Sequence, residues 1–154
     1  MPQTLRQIGT IARALDSIAN IEFKRLGLSK GQYLYLVRIY ENPGIIAEKL
    51  VEMLKVDRAT VARSLQKLEA KGLISRTKDA NNQKILHLNV TPKGEESALF
   101  VLSEMEYSEN HLTQALTAAE KEQLARLLDS MVDHASQEFV FVKKGGIRPY
   151  GNQH

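Results

Sequence analysis

One stretch, residues 56–90, constrains the fold of this chain more than any other, because it has the pattern of a helix that runs directly into a two-stranded ribbon. Asp57 suits the N-cap position, since its carboxylate can accept hydrogen bonds from the amides of the first turn. Gly72 stands where a left-handed residue commonly ends a helix. Apolar residues between them recur at helical spacing on one side: Val61, Leu65 and Leu68. The pattern predicts a helix over about 57–71.

The other side of this predicted helix carries hydroxyl and basic side chains: Arg58, Thr60, Arg63, Ser64, Lys67 and Lys71. Such a helix is built like a reader of the DNA major groove, because Arg and Lys suit guanine edges and phosphates while Ser and Thr are adaptable. The alternative is an ordinary solvated helix face. The helix alone does not distinguish the two.

The flanking segments decide between them. Two β-prone runs follow, 73–78 and 85–90, and a polar loop joins them. Leu86, Leu88 and Val90 alternate with period two, as half-buried strands do. A short amphipathic helix over 45–54 precedes the reading helix, and Ile45-Ile46 is expected to add a short third strand. Helix, turn, reading helix and wing in this order predict a winged helix-turn-helix.

Helix signals also punctuate the rest of the chain. A first helix is predicted over 4–26, Ser29 and Gln32 form a capping box for the next, and Thr91-Pro92 starts a helix that runs to about Leu116. Thr117 and Glu120 form another capping box, which opens the last helix. The predicted fold class is mainly α with a small β-wing, a winged helix-turn-helix with long N- and C-terminal dimerisation helices.

The terminal helices have apolar stripes but lie outside the winged-helix core. They could form an intramolecular bundle or a two-fold dimer interface, and the dimer would place two reading helices about 34 Å apart. The preference for the dimer rests mostly on the family resemblance that the motifs carry. The domains expected are 1–28, an N-terminal dimerisation helix; 29–90, the DNA-binding domain with its recognition helix at about 57–71 and wing at about 73–90; 91–142, the C-terminal dimerisation helices; and 143–154, a glycine-rich basic tail that packs on the partner.

Charge is segregated along the chain although the net charge is only +3. Residues 55–84 hold eight basic and three acidic side chains, whereas residues 95–138 hold two basic and ten acidic ones. The basic block coincides with the reading helix and wing, and the acidic block would be repelled by phosphate. This segregation predicts that the middle of the chain faces DNA.

Taken together, these motifs resemble the MarR/SlyA family of bacterial transcription regulators. The resemblance rests on Ala47-Glu48-Lys49-Leu50, Val56 to Arg63, Leu68 to Ile74 and Thr91-Pro92-Lys93-Gly94. It implies a homodimer that binds double-stranded DNA at a palindromic promoter site as a repressor or activator, often tuned by a small aromatic or amphipathic effector. The wing departs from the family pattern: Asn82 replaces an aspartate and Lys84 an arginine. Because narrow minor grooves attract arginine most strongly, we expect weaker A·T discrimination at the outer positions.

Candidate DNA contacts follow from the reading helix, the wing and the basic residues around them: Arg58, Thr60, Arg63, Ser64, Lys67, Asn82, Gln83, Lys84, Arg76, Lys78 and Lys49. Asp79 is expected to shape the wing, and Arg76 could be structural, held by Asp79. By family analogy, an effector crevice would be lined by Ile11, Leu15, Tyr33 and Val37; ordinary core packing is the alternative for these four.

Other functions find little support. There is no cysteine, the four histidines are scattered, and no nucleophile or phosphate-loop motif occurs, so neither a metal site, a cofactor nor an enzyme activity is expected. No signal sequence or apolar run long enough to span a membrane is present, and a cytoplasmic location is expected. A protein–protein adapter is the remaining alternative, but an adapter has no need of a basic reading face.

Overall fold

The computed structural model describes residues 3–150; residues 1–2 and 151–154, the two ends of the predicted terminal segments, lie outside it. The helices and strands follow in the order α1 (Gln3–Glu22), a 3₁₀ helix (Phe23–Leu26), α2 (Gln32–Glu41), α3 (Ala47–Leu54), α4 (Arg58–Ala70), β1 (Ile74–Lys78), β2 (Leu86–Val90), α5 (Pro92–Leu112) and α6 (Ala118–Lys143). The predicted fold class, mainly α with a small two-stranded wing, is confirmed.

Both ends of α4 form as the sequence predicts. The Asp57 carboxylate accepts the backbone N–H of Thr60 at 2.8 Å and the Thr60 hydroxyl at 2.7 Å. At the other end Gly72 adopts φ 70°, its N–H donates to the Glu69 carbonyl, and the Leu73 N–H donates to the Leu68 carbonyl. This pair of bonds satisfies carbonyls that the helix would otherwise leave open.

The wing is an antiparallel ribbon in which Ile74 pairs with Val90 at the base and Lys78 with Leu86 at the outer end. The expected third strand is reduced to a single bridge, where the Leu88 N–H donates to the Ile45 carbonyl at 2.8 Å. Leu88 is buried, but Leu86 is exposed although its spacing predicted a half-buried position. It lies at the end of the ribbon farthest from the core, so the alternation does not bury it.

The core joins α2, α3, α4 and the wing into one body. Its fully buried side chains are Phe23, Leu28, Leu36, Ile39, Leu50, Val61, Leu65, Leu68, Leu73, Leu88 and Val101. The Phe23 ring lies 5.3 Å from the ring of Tyr33, centroid to centroid. This body belongs to a compact unit that extends to Glu109, and the chain from Asn110 onwards forms a second unit.

The start of α5 is fastened to the end of α4. The Thr91 N–H donates to the Leu73 carbonyl at 3.0 Å, and the Thr91 hydroxyl donates to the Gly72 carbonyl at 2.6 Å. The same hydroxyl accepts the N–H of Gly94, which confirms Thr91 as the N-cap. A Cβ on Gly94 would lie 1.8 Å from the Leu73 carbonyl oxygen, so only glycine allows this approach. The helix ends at Leu112, four residues earlier than predicted, because a turn at Thr113 precedes the next cap.

The capping box predicted for α2 is wrong in part. Lys30 and Gly31 both have positive φ, so the helix begins only at Gln32, and its N-cap is Gly31 rather than Ser29. The Ser29 N–H does donate to the Gln32 side chain, at 3.4 Å. The same amide oxygen accepts the ammonium of Lys71 at 2.9 Å, so Gln32 is buried to connect α2 with α4.

In the second unit, α6 begins with the predicted capping box between Thr117 and Glu120. Across its whole described length α6 buries none of its residues within the chain. Beyond Lys143 the chain turns back, and Arg148 forms an ion pair of 2.9 Å with Glu138. Within residues 3–150 no helix combines the length and the apolar character needed to cross a membrane.

Candidate nucleic-acid interface

The solvent-facing side of α4 carries three cations, Arg58, Arg63 and Lys67, all exposed. Between them lie small residues and one amide, Ala59, Ala62 and Gln66, which are exposed as well. Small side chains leave room for the longer ones to approach a partner surface closely. We call this face, with Arg58, Arg63 and Lys67 protruding from it, the ridge on α4. Its positive charge suits a negatively charged groove.

Two hydrogen bonds in series orient Arg63. Its Nη2 donates to the Thr60 hydroxyl oxygen at 3.2 Å, and that hydroxyl donates to the Asp57 carboxylate. Hydrogen bonds from the Thr60 side chain and backbone hold the pKa of Asp57 below its usual value, and the charge of Arg63 adds to this effect. The N-cap thus stays ionised and anchors the arginine.

Two further candidate cations, one at the start of α4 and one on α3, are paired with acids of α3. Arg58 contacts Glu48 at 2.9 Å and Lys49 contacts Glu52 at 3.3 Å, and all four side chains are largely exposed. Exposed pairs of this kind contribute little stability, because water screens them and the side chains lose entropy. Both cations can therefore exchange these partners for phosphate at small cost.

The wing loop, residues 79–85, is organised by Asp79. One carboxylate oxygen accepts the N–H groups of Asn81 and Asn82, each at 3.0 Å, and the other lies 2.8 Å from His87. The Asn82 side chain in turn accepts the Lys84 N–H at 3.1 Å. The expected role of Asp79 in shaping the wing is confirmed. The loop carries the exposed side chains of Asn82, Gln83 and Lys84, and Lys78 is exposed at the adjoining end of β1.

Comparison with known proteins identifies the family. The chain is 51% identical to the HTH-type transcriptional regulator YybA of Bacillus subtilis over 97% of its own length and 100% of that protein. It is 30% identical to the transcriptional repressor MprA of Escherichia coli over 80% of this chain and 73% of that one. The MarR family profile matches residues 28–86.

The chain belongs to the MarR family of transcriptional regulators.

Solved structures support the same assignment. The transcriptional regulator SlyA is 50% identical, with a TM-score of 0.87 over 90% of this chain and 98% of that one. A MarR family regulator from Listeria monocytogenes, crystallised with a 26mer DNA, is 47% identical, with a TM-score of 0.92 over 95% and 97% of the two chains. The winged-helix architecture of the MarR family is thus confirmed for this chain.

In this MarR family chain, two residues assigned to the polar face of α4, Ser64 and Lys71, and one candidate phosphate contact, Arg76, are buried or bonded within the fold. Ser64 is only 9% exposed, because it lies three residues after Val61 and so borders the buried stripe. Lys71 donates to the Gly27 carbonyl and to Gln32, so it links elements of the fold. Arg76 is held by Glu69, Nε to Oε2 2.8 Å, and not by Asp79 as expected.

Gln66 was missed by the motif-based selection although it lies on the outward face of α4. The signal was available: at 100° per residue it falls about 140° from Val61, well away from the buried stripe. A glutamine in a reading helix can pair with the edge of adenine.

The four residues expected at an effector crevice separate into two groups. Tyr33 and Val37 are buried in the core, and the Tyr33 hydroxyl donates to Asp16 at 2.9 Å. Burial and this hydrogen bond raise the pKa of Tyr33, so its hydroxyl keeps its proton. Ile11 is 52% exposed and Leu15 is half-buried on α1. Core packing accounts for the first pair within this chain.

Among residues 3–150 no cluster of three or more His, Asp or Glu side chains could hold a metal.

Proposed function

We propose that this MarR family chain binds double-stranded DNA with sequence specificity as a homodimer, at a palindromic promoter site in the cytoplasm. In this proposal α4 lies in the major groove and the wing beside it. The observation that carries it is the ridge on α4, where the cap at Asp57 and Thr60 holds Arg63 and where Arg58 and Lys67 are exposed. Arg63 and Gln66 would read base edges, and the other cations would contact phosphates.

The uncovered apolar faces support the homodimer. On α6, one side at helical spacing carries Leu124, Leu127, Leu128 and Met131, all at least 36% exposed within the single chain. On α1, Leu5, Ile11 and Ile18 are exposed as well. Contiguous apolar surface of this kind marks an interaction site. A second copy of the chain is the partner proposed, because two-fold self-association is the commonest way in which soluble chains cover such faces.

An effector site is the finer part of the proposal. A small aromatic or amphipathic molecule would bind beside the exposed Ile11 and half-buried Leu15 of α1, with Tyr33 and Val37 behind them. Such a molecule would change DNA affinity by favouring one distance between the two α4 helices of the dimer over another.

Fluorescence anisotropy tests the DNA proposal. The protein is titrated against labelled duplex from upstream of its own gene and against random duplex, over a salt series. The expected result is salt-dependent binding of two subunits per site, about 10³-fold tighter than to random duplex. Salt-dependent binding without selectivity to any upstream duplex would contradict sequence specificity. No binding to either duplex at low salt would overturn DNA binding and favour the adapter.

A further inference from the structure

We propose that His87 positions the wing for DNA contact and makes that contact depend on pH, because its ring holds two anchors only while it is doubly protonated. This inference rests on the proposed DNA-binding function. His87 lies on β2 and is half-buried.

Both ring nitrogens of His87 meet hydrogen-bond acceptors. Nδ1 lies 2.7 Å from the Gly44 carbonyl oxygen, and Nε2 lies 2.8 Å from a carboxylate oxygen of Asp79. A neutral imidazole has a single N–H, so one of these contacts would then bring two lone pairs together. The imidazolium ion has an N–H at both positions and donates to both oxygens. The geometry therefore fits the charged ring.

The two anchors connect different parts of the protein. Gly44 belongs to the turn between α2 and α3, and its N–H also bonds the wing, at the Leu88 carbonyl. Asp79 begins the wing loop and holds the N–H groups of Asn81 and Asn82 with its second oxygen. His87 thus ties the loop to the body of the domain through one ring. Loss of either anchor would let the wing loop, with its exposed side chains, move away from the position that it holds here.

The surroundings of the ring set the direction of the pH effect. The charged group that faces it is the Asp79 carboxylate of the wing loop; the turn before α3 presents the Gly44 carbonyl, and the residue opposite on β1 is the uncharged Thr77. The hydrogen bond to Asp79, followed by that to Gly44, raises the pKa of His87 above its usual 6.5. The hydrogen bond from His87 contributes most to lowering the pKa of Asp79.

The sign follows from these two shifts. Because the pKa of His87 is raised in the folded protein, the charged ring stabilises the wing fully at pH values below the ordinary pKa. This stabilisation is lost as the pH rises through the raised pKa. Because the pKa of Asp79 is lowered, its stabilisation is present above the ordinary value of 3.8 and is lost only in acid. The wing is therefore held most firmly at pH values between the pKa of Asp79 and that of His87. It loosens as the pH rises above the pKa of His87.

The first test needs no DNA. NMR titration of the wild-type protein should give a His87 ring midpoint above 6.5, and the amide signals of Asn81 and Asn82 should shift with the same midpoint. In His87→Gln, whose side-chain amide can donate to Asp79 but cannot titrate, the two amide shifts should vanish. A ring midpoint at or below 6.5, or wing amides that do not follow the ring, would overturn the proposal whether or not the protein binds DNA.

The second test measures duplex affinity at pH 6.0 and pH 8.5. Wild-type affinity should fall about threefold to tenfold over this range, as expected when one charge-assisted hydrogen bond holding part of the interface is lost. His87→Gln should show no such fall, whereas His87→Ala should bind more weakly than either at both pH values. His134→Gln on α6 is the matched control and should keep the wild-type profile.

The outcomes of the two tests are separable. An equal fall in His87→Gln and wild type would exclude His87 as the group responsible for the pH dependence. If the wild type binds no duplex at any pH, the proposed function fails, and the NMR titration alone then decides whether His87 holds the wing. Thermal melts of each variant show whether it is folded under the conditions of the assay.

Discussion

Arg63 is prepared for contact before any partner arrives. Its guanidinium already donates to the Thr60 hydroxyl, and that hydroxyl donates to an ionised Asp57. A side chain held in place loses less conformational entropy on binding than a mobile one. Arg58 on the same face instead contacts the carboxylate of Glu48, which is itself exposed to solvent. Arg63 is therefore the residue from which we expect the largest single contribution to base recognition.

Arg63→Ala should weaken specific DNA binding by about 1–3 kcal/mol and relax selectivity at the base pair that it contacts. Anisotropy titrations with the specific and the random duplex measure both effects. Arg126→Ala, which removes an exposed arginine from α6, serves as the control and should leave binding unchanged. Unchanged specific affinity in Arg63→Ala would remove this residue from the base-reading set.

At the scale of elements, the N-cap gives α4 a pH dependence of its own. The lowered pKa of Asp57 means that its stabilisation is present above the ordinary value of 3.8 and is lost as pH falls through the lowered one. Asp57→Asn keeps a capping oxygen without titrating. Melting temperatures of wild type and Asp57→Asn are measured by circular dichroism from pH 7 to pH 3. The melting temperature of the wild type should fall more in acid than that of Asp57→Asn. Parallel curves would contradict this; Asp129→Asn on α6 is the control.

The contact between the end of α4 and the start of α5 gives a second prediction at this scale. We call this contact the joint. Gly94→Ala would place a methyl group against the Leu73 carbonyl, which cannot move without breaking its bond from Thr91. Unfolding experiments should show a loss at or above the upper end of the about 1–3 kcal/mol typical of overpacked sites. Gly9→Ala on α1 is the matched control, since its methyl group meets only the flexible end of Arg13 and should be tolerated. Equal stabilities of the two variants would show that the joint is not tight.

At the scale of the whole molecule, charge and apolar surface are divided between different parts of the chain. The exposed charges of α4 and the wing are mostly cations, whereas α6 exposes more acids than cations together with an apolar side. Leu127→Glu should abolish self-association, because a charge in an apolar interface loses its hydration without gaining a partner. Sedimentation equilibrium measures the mass directly. Arg126→Glu, at a position at least about 100° around α6 from each of the four apolar residues, should leave the dimer intact. A dimer that survives Leu127→Glu would place the interface elsewhere.

The sequence was sufficient wherever a local signal determined the structure. Asp57, Gly72, Thr91 and Thr117 all end or begin helices as predicted, because caps depend on residues within one turn. The wing was predictable for the same reason, because two short β-prone runs joined by a polar loop can adopt few other arrangements. The family was recognisable from these motifs taken in order.

Errors arose where the deciding partner lies far along the chain. Lys71 was assigned to the polar face of α4, but its partners are Gly27 and Gln32, about forty residues earlier. Ser64 was misplaced because a hydroxyl next to a buried stripe can be either covered or exposed, depending on what packs over it. The two ring contacts of His87 also join segments that are 8 and 43 residues away, which no local pattern reveals.

The fastening of α5 to α4 has a mechanical consequence. Thr91 is bonded to both Gly72 and Leu73, and Gly94 packs against the same backbone without a gap. From its N-cap Thr91 to Glu109, α5 extends about 27 Å at 1.5 Å per residue. A tilt of about 5° about Glu109 therefore displaces the contact between α4 and α5 by about 2 Å. Because Thr91 and Gly94 leave no gap at this contact, we expect α4 to move with α5. A displacement of that size would be enough to break the hydrogen bonds to base edges proposed for α4. In the proposed DNA complex, a small rotation of α5 would therefore shift α4 within the groove.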